Sequence, residues 1–141
     1  EGYAFGEEAL ISNAKRNATI KMRTAGVIVR LSKENFNDFV RDPLLTWLSP
    51  TQAYKAVEGG AKWLDVREEA HGAAAKLRGA ASLPLSKLRE TLSRLDKNAK
   101  YVCYCQNARM SATAAFLLVQ RGYNAMVLRG GLQGLERAGL L

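Results

Sequence analysis

One cysteine lies where the chain is best built for nucleophilic chemistry. Residues 100–104 read as a buried strand and residues 112–121 as a helix. Cys105 therefore leaves a strand, enters a tight loop and faces the N-terminus of a helix. Backbone N–H groups and the helix dipole stabilise an anion at such a position. We expect the thiol of Cys105 to ionise more readily than a free thiol and its thiolate to act as a nucleophile.

The loop that follows Cys105 supplies the other candidate residues, and it comprises Gln106, Asn107, Ala108, Arg109, Met110 and Ser111. Its amides can point inward and form a nest for an anion. Arg109 can bind an anionic substrate or favour the thiolate. Ser111 can cap the next helix or hydrogen-bond within the loop. Cys103 is expected in the core, because it belongs to the strand; a resolving role for it would be cramped.

The composition of the chain indicates which class of protein to expect. The chain has 141 residues, of which 48% are hydrophobic, enough for one medium domain or one domain plus a fragment. No apolar run reaches the length of a membrane span, and no charged-then-apolar leader is present, so neither a membrane protein nor a secreted one is expected. With two cysteines only two positions apart and His71 as its single histidine, the chain predicts no disulfide and no metal site, in a reducing, cytoplasmic setting.

The net charge of +8 favours anionic partners. The arginines are scattered over the full length rather than clustered, which favours a solvated basic surface over a nucleic-acid-binding face. We therefore expect a small anionic substrate, and neither a nucleic acid nor a membrane as partner.

The order of elements predicts an α/β fold over residues 46–141. Strands ending near Asp65, Cys105 and residue 128 alternate with helices, which is typical of a parallel sheet flanked by helices. Carboxyl ends of parallel strands meet at one edge of a sheet, so Asp65 and Cys105 should share that edge.

Residues 1–45 follow a different pattern. Residues 18–23 and 26–31 each read as a strand. Ser32 then caps a helix that ends at Asp42-Pro43. These residues predict a separate, smaller unit.

The larger unit resembles a rhodanese domain, the fold of a family of sulfurtransferases. Four motifs occur in the family's order: Leu-Asp-Val-Arg-Glu at 64–68, Gly-Ala-Ala-Ser-Leu-Pro at 79–84, the loop from Tyr-Cys to serine at 104–111, and Leu-Arg-Gly-Gly-Leu at 128–132. The resemblance implies that the cysteine takes a sulfane sulfur from thiosulfate or a similar donor. The resulting persulfide would pass that sulfur to cyanide or a thiol, without a cofactor.

Several features of this unit leave alternatives open. Ala108 stands where the family commonly has glycine, Leu135 where a tryptophan often follows the glycine pair, and Lys76 where a histidine is frequent. Asp65 and Arg67 are expected to brace the sheet edge as an ion pair rather than to do chemistry. The resemblance also permits a rhodanese-like regulatory or binding module without turnover.

Two other functions fit the sequence less well. Some cysteine phosphatases share the fold, but they need an arginine six positions after the cysteine, where this chain has Ser111. A DNA-binding regulator would need a helix-turn-helix after residue 45, and the strand that ends at Asp65 argues against one.

The smaller unit resembles the C-terminal half of a cyclic-nucleotide-binding β-roll. Residues 5–11, Phe-Gly-Glu-Glu-Ala-Leu-Ile, and residues 16–19, Arg-Asn-Ala-Thr, look like its phosphate-binding cassette. The resemblance implies that cyclic AMP or cyclic GMP is an effector of a longer parent protein, in which an arginine neutralises the cyclic phosphate and a glutamate accepts from the ribose. The implied nucleotide-binding residues are Gly6, Glu7, Glu8, Ala9, Arg16 and Asn17.

Such a β-roll has several strands before the cassette, whereas this chain begins almost at it. We therefore expect a partial β-roll that packs on the rhodanese-like unit, pairs with a second copy as a homodimer, or stays loose. We expect no useful nucleotide binding by this chain alone.

Overall fold

A computed structural model describes residues 5, 6, 10, 15, 19–68 and 77–141. The helices are α1 (Lys33–Phe36, extended by a π-helical turn at Asn37–Arg41 and a 3-10 turn at Asp42–Leu44), α2 (Pro50–Glu58), α3 (Leu88–Thr91, between 3-10 turns at Leu85–Lys87 and Leu92–Arg94), α4 (Arg109–Gln120) and α5 (Gly131–Arg137). The strands are β1 (Thr46–Leu48), β2 (Lys62–Asp65), β3 (Ala81–Ser82), β4 (Lys100–Tyr104) and β5 (Asn124–Leu128). None of the helices in these ranges is both long and apolar enough to cross a membrane.

The five strands form one parallel sheet in the order β1-β5-β4-β2-β3. β4 lies at the centre, and the register places Asp65 of β2 beside Tyr104 of β4. This arrangement confirms the predicted α/β fold and brings the carboxyl ends of β2 and β4 to the same edge of the sheet.

The sheet separates two apolar clusters, because side chains alternate along each strand. One face of β4 carries Tyr101 and Cys103 toward the cluster that contains Phe116 of α4. The other face carries Val102 and Tyr104 toward the cluster that contains Leu135 of α5. Burial on both faces explains why residues 100–104 read as a continuous buried strand.

The helices begin where their capping residues predict. Ser49 accepts a hydrogen bond from the amide of Gln52, whose side chain accepts one from the Ser49 amide, so a capping box starts α2. Ser32 accepts from the amide of Asn35 at the start of α1. α1 then docks on the larger unit through Phe36, whose ring meets that of Phe116 edge to face at 5.7 Å.

The two strands predicted before α1 do not form. The described residues of these segments, 19–23 and 26–31, have no regular secondary structure. Val27 and Val29 are 92% and 85% exposed. Alternating apolar residues form a strand only when a neighbouring strand takes up their backbone hydrogen bonds, and no such neighbour lies in the described part of the chain. The partial β-roll is therefore not formed by these residues.

Candidate active site

Cys105 directly follows β4 and carries a free thiol. The backbone N–H of Ser111 donates to the Cys105 sulfur at 3.3 Å, and the sulfur donates to the Ser111 hydroxyl oxygen at 3.5 Å. The Ser111 hydroxyl in turn donates to the Ala108 carbonyl at 3.2 Å. When the thiol loses its proton, a rotation of this hydroxyl would direct its donor to the sulfur. Ser111 can then stabilise a negative sulfur with two donors.

Several amides of the loop lack a hydrogen-bond acceptor among the described residues. Besides the Ser111 amide, those of Gln106, Asn107, Ala108 and Met110 donate to no acceptor in the part of the chain that the structure describes. Unpaired amides at the first turn of a helix, here α4, favour negative charge. The nest beside the cysteine stays a prediction, supported by these unpaired amides and by the Ser111 amide that donates to the sulfur.

Two loop residues set its turn. Ala108 has a φ of 72°, which makes it the non-glycine residue with a positive φ in the described ranges. The Asn107 side chain accepts from the amide of Arg109 at 3.2 Å, which forms an Asx turn directly before α4. Glycine adopts this conformation without strain, which explains why the family commonly has glycine where this chain has Ala108.

The predicted anion-binding side chain stands at the open side of the loop. Arg109 is the first residue of α4 and is exposed, as are Gln106 and Asn107. Met110 is half-buried, and Cys105 itself is 1% exposed. The Arg109 side chain is therefore open to solvent, whereas Cys105 is almost completely covered.

A glycine of α5 supports the loop from below, a contact that the sequence reasoning missed. The amide of Leu132 donates to the Cys105 carbonyl at 2.9 Å, and the amide of Gln133 donates to the Gln106 carbonyl at 3.1 Å. A Cβ on Gly131 would overlap the Cys105 carbonyl oxygen and lie 2.8 Å from the carbonyl carbon and oxygen of Gln106. The family motif marked this glycine pair, but only the tertiary contact shows why a side chain does not fit.

A buried ion pair lies at the end of β2, where Asp65 is opposite Tyr104 of β4. Arg67 donates from Nε to Oδ1 of Asp65 at 3.0 Å and from Nη2 to Oδ2 at 2.7 Å. The Tyr104 hydroxyl donates to the same Oδ2 at 3.0 Å. Burial acts to raise the pKa of Asp65, but hydrogen bonds from Arg67 and Tyr104 and the Arg67 charge outweigh it and lower that pKa overall. The expected brace between Asp65 and Arg67 is present.

Cys103 lies in the core, as predicted. Its side chain is fully buried, and burial together with the charge of Cys105 raises the pKa of the Cys103 thiol. Both cysteines are buried, so what distinguishes Cys105 is its place after the strand, where its sulfur accepts a hydrogen bond from the Ser111 amide.

Most residues of the nucleotide-binding motif lie outside the described residues: Glu7, Glu8, Ala9, Arg16 and Asn17. Gly6 is described, with a φ of 83°, and its carbonyl accepts from the amide of Leu10 at 3.4 Å. His71 and Lys76 also lie outside the described residues.

Comparisons with known proteins support the resemblance of residues 46–141 to a rhodanese domain. Residues 49–138 match the model of the rhodanese-like domain. No curated protein sequence matches the chain. A rhodanese-related protein from Thermoplasma volcanium is 27% identical, with a TM-score of 0.64 over 68% of this chain and 95% of its own. A rhodanese homolog from Thermus thermophilus is 30% identical, with a TM-score of 0.55 over 63% of this chain and 99% of its own.

A rhodanese-like domain protein from Staphylococcus aureus shares the fold at 20% identity, with a TM-score of 0.60 over 64% of this chain and 90% of its own. None of these matches concerns a cyclic-nucleotide-binding unit. Because the matched residues span more than half of the sequence and contain the cysteine loop, the ion pair and the glycine pair, this chain belongs to the rhodanese-like domain family.

Proposed function

We propose that this chain is a sulfurtransferase that carries sulfane sulfur as a persulfide on Cys105. One observation carries the proposal: the Cys105 sulfur lies at the N-terminus of α4 and accepts a hydrogen bond from the Ser111 amide at 3.3 Å. A helix N-terminus with unpaired amides stabilises both a thiolate and the terminal sulfur of a persulfide, which are the two anionic states of the cycle.

The proposed chemistry has two displacements. The Cys105 thiolate attacks the sulfane sulfur of thiosulfate, so that a Cys–S–S bond forms, the S–S bond of thiosulfate breaks, and sulfite leaves with the electron pair. The acceptor, cyanide or a thiolate, then attacks the outer sulfur of the persulfide. That S–S bond breaks and the Cys105 thiolate returns. Arg109 on the open side of the loop would attract the doubly charged donor.

A second function is favoured by a different observation. The Cys105 side chain is only 1% exposed, so a donor must displace part of the loop to reach the sulfur. A loop that stays closed would make the domain a binding or regulatory module without turnover.

Turnover distinguishes these functions. We expect the chain to form thiocyanate from thiosulfate and cyanide, and Cys105→Ala to form none above the uncatalysed rate. Cys103→Ala should retain the activity, because Cys103 belongs to β4 and it is the Cys105 sulfur that accepts from the Ser111 amide. If the unsubstituted chain forms no thiocyanate while remaining folded, the module without turnover is the better function.

We further propose that residues 1–45 belong to a cyclic-nucleotide-binding unit of a longer protein. The motif residues support this, as does the hydrogen bond from the Leu10 amide to Gly6, which is the spacing of a helical turn. Calorimetric titration of this chain with cyclic AMP and cyclic GMP should show no tight binding. A longer chain that restores the preceding strands should bind, and its failure to bind would refute this proposal.

A further inference from the structure

Arg129 belongs to the Leu-Arg-Gly-Gly-Leu motif but has no part in the chemistry proposed so far. It directly follows β5, as Cys105 directly follows the neighbouring strand β4. The last paired residues of these two strands are Cys103 and Val127, and Cys105 and Arg129 each lie two positions further on. The same register therefore places Arg129 beside Cys105, at about the 4.8 Å spacing of neighbouring strands.

Backbone hydrogen bonds hold Arg129 at this place. Its amide donates to the Leu48 carbonyl at 2.8 Å, so the ladder between β5 and β1 extends to this residue. Three residues later, the Leu132 amide donates to the Cys105 carbonyl at 2.9 Å. The backbone around Arg129 is thus fixed against β1 on one side and against the cysteine on the other.

Arg129 lies on the face of the sheet that carries the cysteine. Side chains alternate along a strand, and Val127 packs into the same apolar cluster as Cys103 and Cys105. Leu128 packs into the cluster on the opposite face. Arg129 therefore returns to the face of the cysteine, and it is exposed.

The positive charge of Arg129 is not neutralised within the described part of the chain. Its side chain forms no hydrogen bond or ion pair with another described residue, and the same holds for Arg109. Two carboxylates at this edge of the sheet already have partners, because Asp65 accepts from Arg67 and Glu68 accepts from a serine hydroxyl. Both exposed guanidiniums are therefore open to an anion from solution.

An exposed charge at this distance acts on an incoming anion. Ionic screening becomes strong only beyond about 10 Å in 0.1 M salt, which is about twice the spacing of neighbouring strands. The exposed charges of α5 offset each other, since Glu136 is followed by Arg137. Arg109 and Arg129 therefore leave two positive charges where a substrate approaches the cysteine.

We propose that Arg129 is a specificity-determining residue: together with Arg109 it favours sulfur donors and acceptors that carry a sulfonate or carboxylate over uncharged ones. This inference rests on the proposed function, because it concerns the substrates of that reaction. The planar fork of a guanidinium matches the paired oxygens of such groups. Thiosulfate has oxygens of this kind, and a thiol acceptor would need a carboxylate to make the same contact.

The test compares two alkylating reagents of nearly equal size, the anionic iodoacetate and the neutral iodoacetamide. Each forms an S–C bond with the thiolate as iodide leaves, so a change in the thiolate fraction cancels in the ratio of the two rates. Peptide mass spectrometry assigns the modification to Cys105. In Arg129→Gln the ratio of the iodoacetate rate to the iodoacetamide rate should fall about two- to fivefold, the contribution of one exposed ion pair.

Arg121→Gln is the matched control, because it removes the same charge from an exposed residue at the other end of α4. The 12 residues of α4 separate Arg121 from the start of the helix by about 18 Å, well beyond the screening length. Its ratio should equal that of the unsubstituted chain, whereas Arg109→Gln should lower the ratio as Arg129→Gln does. In about 1 M salt, where the screening length is about 3 Å, these differences should disappear.

An unchanged ratio in Arg129→Gln would overturn the inference, and so would equal decreases in Arg129→Gln and Arg121→Gln. A folded chain in which neither reagent modifies Cys105 would overturn it as well, because no anion then reaches the sulfur. If the ratio falls in Arg129→Gln but not in Arg121→Gln while the unsubstituted chain forms no thiocyanate, the proposed function fails and the selection of anions by Arg129 stands.

Discussion

Replacing Gly131 by alanine should disturb the cysteine loop through a single added methyl group. The added Cβ would lie 2.8 Å from the carbonyl carbon and oxygen of Gln106, whereas ordinary van der Waals contact begins at 3.4 Å. Relief of the Gln106 contacts alone requires the loop backbone to retreat by about 0.6 Å, and the closer overlap with the Cys105 carbonyl oxygen requires more. That movement would also lengthen the 2.9 Å hydrogen bond from the Leu132 amide to the Cys105 carbonyl.

A second glycine allows the effect of the clash to be separated from backbone strain. Gly131 has a φ of 60° and Gly139 a φ of 66°, but a Cβ on Gly139 meets nothing within 4 Å. Alanine in the left-handed region costs about 1–2 kcal/mol at either position. At position 131 the overlap adds about 1–3 kcal/mol, the usual cost of overpacking. Gly131→Ala should therefore lose about 2–5 kcal/mol and Gly139→Ala about 1–2 kcal/mol.

Urea unfolding and thiocyanate formation would be measured on both variants. A displacement of about 1 Å at a nucleophile can reduce a rate by about 100-fold, so Gly131→Ala should lose roughly tenfold or more in turnover at a temperature where it is folded. Gly139→Ala should keep its turnover, since it is remote from the loop contact. Equal losses of stability and equal turnover in the two variants would refute the role assigned to Gly131.

Three further predictions concern single groups. Ser111→Ala removes the hydroxyl beside the Cys105 sulfur and should slow persulfide formation by about 10–100-fold, which corresponds to the loss of one hydrogen bond to a charged group. Thr113→Ala loses a 3.4 Å hydrogen bond to the Arg109 carbonyl and should leave the rate unchanged. Equal rates of persulfide formation in the two variants would contradict the role of Ser111. Ala108→Gly relieves about 1–2 kcal/mol of backbone strain at the positive φ. It also loses about 0.8 kcal/mol from the buried methyl group and about 0.5–1 kcal/mol because glycine has more conformational entropy in the unfolded chain. The free energy of unfolding should therefore change by less than about 1 kcal/mol, and a larger change in urea unfolding would show that the strain has another size. Folding lowers the pKa of Asp65, so this carboxylate stabilises the fold at pH values above its ordinary pKa of 3.8. That stabilisation is lost as the pH falls through the pKa of the folded state, so Asp65→Asn should lose less stability on acidification than the unsubstituted chain. Parallel curves of unfolding free energy against pH for the two proteins would contradict this prediction.

The central elements were predictable because their signals are local. β4 is a run of buried residues bounded by a polar turn, and α2 begins with Ser49-Pro50 and ends before Gly59. The position of Cys105 between β4 and α4 followed from the same pattern. These elements have the length and periodicity that sequence patterns resolve.

The missed elements depend on tertiary contacts. β1 has only three residues, too few for a period, and forms because β5 pairs with it. α5 contains Gly131 and Gly134, which read as helix breakers, yet a Cβ on Gly134 would lie 2.5 Å from the Arg129 carbonyl oxygen. Close packing at the loop selects glycine here against its low helix propensity.

The strands predicted before α1 failed for the opposite reason. Their alternation is a local signal, but a strand also needs a partner to pair with, and the described chain provides none. The link from Tyr104 to Asp65 was likewise not predictable, since it depends on the register between β2 and β4.

The most direct test of the account is the intact mass of the chain after incubation with thiosulfate, measured beside Cys105→Ala. We predict that the unsubstituted chain gains the mass of one sulfur atom, that cyanide removes it, and that Cys105→Ala gains nothing. A folded chain that gains no sulfur, or a gain that persists in Cys105→Ala, would contradict the claim that Cys105 carries the sulfur.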